Sequence, residues 1–81
     1  MKARVTVSPK RTVLDPQGQA IGSALKGRGY TAVQEVRQGK VFEIELAAGT
    51  EGAKAKQDME EIARNILSNP VIEDYRVEIL D

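Results

Sequence analysis

The chain holds few residues of the kinds that make and break covalent bonds at neutral pH. It has no histidine and no cysteine, which removes the commonest general base, metal ligand and activated nucleophile. Ser8, Ser23 and Ser68 have no base beside them in sequence. Glu60-Glu61 and Glu73-Asp74 are acidic pairs, but a hard cation needs several converging oxygens, and adjacent residues on a helix diverge. Both pairs read as solvated surface. Gly27-Arg28-Gly29 follows a helical pattern instead of joining a strand to a helix, so it reads as a helix exit and not a phosphate loop. The expectation is a chain with no catalytic residue and no metal site of its own.

Two polar stretches remain. Arg37-Gln38-Gly39-Lys40 sets two cations around a hairpin tip, where they suit a phosphate or an acidic protein surface; a polar turn accounts for the same residues. Asp15-Pro16-Gln17-Gly18 reads as a helix start. Asp15 suits the N-cap and Pro16 the first turn, where no backbone donor is needed. The alternative is partner contact, with Gln17 hydrogen-bonding across an interface.

The elements that must position these stretches follow from periodicity. Lys2 to Ser8 alternates, with Ala3, Val5 and Val7 on one face, and Pro9 closes it. A helix runs from Asp15 to about Lys26 with Ala20, Ile21, Ala24 and Leu25 in one stripe. Gly27 and Gly29 supply its exit. Gly18 and Gly22 weaken that helix, and a close approach by another backbone would explain them. Thr31 to Arg37 reads as a second strand, although Val33 and Val36 stand three apart and hint at a bulge. Lys40 to Ala47 turns Phe42, Ile44 and Leu46 inward. A second helix spans about Glu51 to Ser68, its stripe formed by Met59, Ile62, Ala63, Ile66 and Leu67, and Asn69-Pro70 ends it. Glu73 to Leu80 is the last strand, with Tyr75, Val77 and Ile79 on one face.

The order βαββαβ implies an α+β domain of ferredoxin-like, split-βαβ type: an antiparallel sheet with two helices on one face. Residues 1–81 form one domain. A 41% apolar content with only three aromatics implies a thin aliphatic core, and oligomerisation would help a chain of this size. Val41, Val71 or Ile72, and Leu80 could leave the helix-free face partly apolar and open to a second copy. The net charge is zero, and Phe42 alternates with core residues, which argues against nucleic acid as a partner. The absence of cysteine and of any leader-like or membrane-length apolar run fits a cytoplasmic protein.

Val13-Leu14-Asp15-Pro16-Gln17-Gly18, Val36-Arg37-Gln38-Gly39-Lys40 and Asn69-Pro70-Val71-Ile72-Glu73-Asp74-Tyr75-Arg76, in this order and spacing, resemble the PurS-type small subunit of phosphoribosylformylglycinamidine synthase over nearly the whole chain. The resemblance implies a non-catalytic subunit of an enzyme of purine biosynthesis. That complex converts formylglycinamide ribonucleotide, glutamine, ATP and water to formylglycinamidine ribonucleotide, glutamate, ADP and phosphate. It implies a homodimer or higher oligomer that bridges a large synthetase subunit and a glutaminase subunit and assists ammonia transfer. No cofactor is expected in this chain; ATP and Mg are used by the large subunit. Asp15, Pro16, Gln17, Gly18, Arg37, Gly39 and Lys40 are the expected partner contacts. Two other classes share the topology: a regulatory domain that binds a small metabolite, and an RNA-binding module, which would need exposed aromatics on its central strands.

Overall fold

The computed structural model describes residues 1–80. Strand β1 (Lys2–Pro9) leads through a short connector to helix α1 (Pro16–Gly27). Strand β2 (Lys40–Glu45), helix α2 (Gly52–Ile62) with a continuing π turn (Ala63–Leu67), and strand β3 (Glu73–Leu80) complete the order. The sheet is antiparallel with β1 in the centre, in the order β2-β1-β3. Those are the places that a ferredoxin-like sheet gives its third, first and fourth strands. The place of the second strand is the outer edge of β2.

Register explains the core. Val5 stands opposite Phe42 on one side and Val77 on the other, and Ala3 opposite Ile44 and Ile79. Opposed residues share a face, so the alternating apolar residues of all three strands converge on one side. Ala3, Val5 and Val7 are fully buried there, beneath Ala55, Met59 and Ala63 of the second helical segment. Three of these six buried residues are alanines, so the core is thin. Val5 and Val7 are the largest side chains wholly removed from water, each contributing roughly 1.5–3 kcal/mol.

The opposite face is charged. Arg4 lies between Glu43 and Glu78, and Lys2 faces Glu45. Cross-strand pairs of opposite sign suit a solvated surface. Val41 is exposed beside Thr6, but Val71 and Ile72 sit in the turn before β3 and not on the sheet. The apolar helix-free face expected from the sequence is therefore largely absent.

Two further differences have physical causes. The second helix keeps Met59 and Ala63 buried, yet Ile66 is 74% exposed. Past Ile62 the winding widens, and the Ser68 N–H donates to the Ala63 carbonyl five residues back. The wider turn carries Ile66 off the stripe while Leu67 stays against the core. Thr31 to Arg37 forms no strand: residues 33–39 have no regular secondary structure and no ladder partner. Helix α1 accompanies that segment instead of lying on the sheet. The result is a long molecule, 50 × 26 × 14 Å, with a radius of gyration of 16.1 Å; a compact chain of this length has about 12 Å.

Candidate functional site

The two stretches singled out by the sequence meet where the arm formed by α1 and residues 30–38 joins the sheet. Asp15 caps α1 with one carboxylate oxygen: its Oδ1 accepts from the Gly18 N–H at 3.0 Å. Its Oδ2 accepts from the Gln38 N–H at 2.8 Å, across 23 residues of sequence. The backbone N–H groups of Gln38, first, and Gly18, next, hold the Asp15 carboxyl below its ordinary value. Pro16 occupies the first turn as expected.

Gly18 is buried between the Asp15 carboxylate and the Val36 carbonyl, both of which would collide with a Cβ. Gly22, one turn on, faces the Val36 side chain at ordinary contact distance. The two helix-weakening glycines thus allow α1 to lie against the segment around Val36. The approaching backbone is the chain's own.

Arg37 is fixed from several sides. Its Nη1 donates to the Lys10 carbonyl at 2.8 Å and to Pro9 at 3.4 Å; Nη2 donates to Arg11 at 2.5 Å. Nε donates to Glu35 Oε1 at 2.9 Å. These bonds tie residue 37 to the end of β1 and hold the arm in line with the sheet. Lys40, by contrast, begins β2 exposed, and among the described residues it has no side-chain hydrogen bond. Gly39 comes so close to the Val7 carbonyl that a side chain there would clash. Gln17 is exposed on the first turn of α1.

Between α1 and residues 34–37 lies an open cleft of about 670 Å³. Asp15, Gly18 and Arg37 line it, whereas Pro16, Gln17, Gly39 and Lys40 do not. Arg11, Lys26 and Glu35 add charge of both signs, and Val13, Leu14 and Val36 add apolar surface. Sequence reasoning missed Arg11 and Glu35; the three-residue spacing of Val33 and Val36 was the one sign that this segment was no ordinary strand. The cleft's hydroxyls, on Thr12 and Ser23, have no hydrogen bond to a base among the described residues, and no group of three acidic side chains converges on a metal position there. What the site can do chemically is bind through exposed polar groups at its rim.

The comparisons with known proteins agree over the whole chain. A family model described as PurS, phosphoribosylformylglycinamidine (FGAM) synthase, matches residues 2–81. The phosphoribosylformylglycinamidine synthase subunit PurS of Bacillus subtilis is 42% identical over 82 residues, covering 96% of this chain and 90% of the relative. That of Methanocaldococcus jannaschii is 37% identical over 78 residues, covering 96% and 93%. Among solved structures, B. subtilis PurS superposes with a TM-score of 0.81 at 40% identity, covering 99% of this chain and 98% of that one. A chain in the structure of PurLQS from Thermotoga maritima gives 0.84 at 30% identity, covering 98% and 95%.

Proposed function

The chain belongs to the PurS family of phosphoribosylformylglycinamidine synthase, and on that premise we propose that it is the small subunit of that enzyme in purine biosynthesis. In this reading it joins a large synthetase subunit to a glutaminase subunit and helps ammonia pass from one to the other. It acts in the cytoplasm as a homodimer or higher oligomer. ATP and Mg belong to the large subunit, and this chain contributes no catalytic group.

The observation that carries the reading is the likeness, over almost the full length of both chains, to a chain of the T. maritima PurLQS structure. The site's chemistry supports it. A cleft with no nucleophile–base pair among its residues, beside exposed polar groups held on a braced loop, suits contact between proteins. Asp15 and Gly18 shape the cap, and Pro16, Gln17, Gly39 and Lys40 are the neighbouring surface offered to the larger subunits, with Arg37 holding the loop in place.

Reconstitution tests this reading. Purified large and glutaminase subunits should make formylglycinamidine ribonucleotide from glutamine only when this chain is added, and all three should co-elute. Full glutamine-dependent synthesis without it would overturn the proposal.

A further inference from the structure

The outer edge of strand β3 is open. Among the described residues β3 pairs only with β1, so the backbone groups on its far side have no ladder partner. Natural sheets blunt such an edge with a short strand, a bulge, proline or lysine. Strand β3 has none of these. It runs for eight residues, contains neither proline nor lysine, and keeps an unbroken register against β1 from Glu73 to Leu80. An edge of this kind accepts another strand.

The side chains beside the edge agree. Tyr75, Val77 and Ile79 stand opposite Val7, Val5 and Ala3. The three β1 residues are fully buried, whereas their β3 partners are only half-buried. A shallow groove of about 610 Å³ lies beside Ile79, lined also by Gly52, Ala53, Lys56 and Gln57 of α2. Its walls are almost wholly apolar. A strand laid along β3 sends every second side chain toward this groove. On the other face β3 carries Asp74, Arg76 and Glu78. Lys10 pairs with Asp74 at 2.9 Å, but Arg76 reaches Glu78 only at 3.5 Å and is 73% exposed. An acidic residue across from Arg76 would complete that charge.

We propose that an extended segment of one of the larger subunits adds to the outer edge of β3, with alternate apolar side chains in the groove beside Ile79 and an acidic residue opposite Arg76. Main-chain hydrogen bonds supply affinity in this mode, and the groove supplies specificity. The proposal rests on the small-subunit reading above and names one of its contact surfaces. A second copy of this chain suits the edge less well. Its own β3 turns Tyr75 and Val77 to the groove side, and both are packed against that copy's core, so the groove stays unfilled.

Amide hydrogen exchange on the reconstituted complex tests this. The β3 amides that β1 leaves unbonded should exchange at least roughly tenfold more slowly in the complex than in the isolated chain. Ala53 is exposed on α2, so Ala53→Glu puts a charge in the groove without touching the core. It should leave the melting temperature unchanged, abolish the added protection of β3, and weaken binding to the larger subunits roughly tenfold. A complex that assembles with β3 exchanging as in the isolated chain overturns the strand addition and leaves the subunit role standing. Protection that grows with the concentration of the isolated chain assigns the edge to a second copy and also overturns it. Failure of any complex to form overturns both readings.

Discussion

Arg37 and Lys40 stand three residues apart and carry the same charge, but they do different work. Exposed cations contribute little to stability, and Lys40 fits that description. Arg37 donates to the carbonyls of Pro9, Lys10 and Arg11 at the end of β1, and hydrogen bonds from a charged donor are among the stronger ones. Arg37→Ala should therefore destabilise the chain by about 2 kcal/mol in denaturant melts, whereas Lys40→Ala should stay within roughly 0.5 kcal/mol of wild type. Sequence alone treats the two cations as an equivalent pair, because nothing in the local spacing shows that the carbonyls of residues 9–11 lie within reach. Asp15 gives a pH dependence. Its carboxyl is held below 3.8 by the Gln38 and Gly18 N–H groups, so its stabilisation is present above the unfolded value and lost as pH falls through the lower folded value. Asp15→Asn should flatten that part of the acid limb of a melting-temperature titration. An unchanged limb would mean that other carboxylates set it.

At the scale of elements, two glycines of one helix should respond in opposite directions. A Cβ at Gly18 meets the Val36 carbonyl and the Asp15 carboxylate, neither of which can give way without breaking the cap. Gly18→Ala should cost about 1–3 kcal/mol. A Cβ at Gly22 meets Val36 at 3.7 Å or more, so Gly22→Ala should gain up to about 1 kcal/mol from helix propensity. Thermal melts of the two variants side by side check this. The contrast also marks how far the sequence reaches. Strands β1 and β3 were legible to within a residue because alternation of period two is a local property, fixed by one buried face. The start of α1 was legible because Asp15 and Pro16 carry their cap chemistry with them. Thr31–Arg37 has the composition of a strand, but a strand needs an edge to pair with, and no local pattern states where that edge is. The exit of α1 was half legible: Gly29 adopts φ +95° as expected, whereas Gly27 is the last helical residue. At the site, the cap and residues 37–40 were singled out in sequence, the latter as the tip of a hairpin that does not form, but not their union through the Asp15–Gln38 bond, which joins positions 23 apart.

At the scale of the whole molecule, a thin core and a long arm suit the proposed role of a subunit that joins larger proteins. Such a chain does not need to enclose a reaction site. It needs surfaces held in fixed relation to one another, and the clamps at Asp15 and Arg37 supply that rigidity at the junction of arm and sheet. Contact with partners is then best tested with residues outside the clamps. Gln17 and Lys40 are exposed on either side of the junction and take no part in the hydrogen bonds that brace it. Gln17→Ala with Lys40→Glu should leave the melting temperature and the oligomeric state of the isolated chain unchanged. In the reconstituted complex the same double variant should lower glutamine-dependent synthesis more than synthesis supplied directly with ammonia, because the latter needs no transfer between subunits. Equal losses in both reactions would instead place these residues in support of the large subunit's own site. No loss in either, with normal co-elution, would mean that the junction faces solvent in the complex and that the contacts with the larger subunits lie elsewhere on the chain.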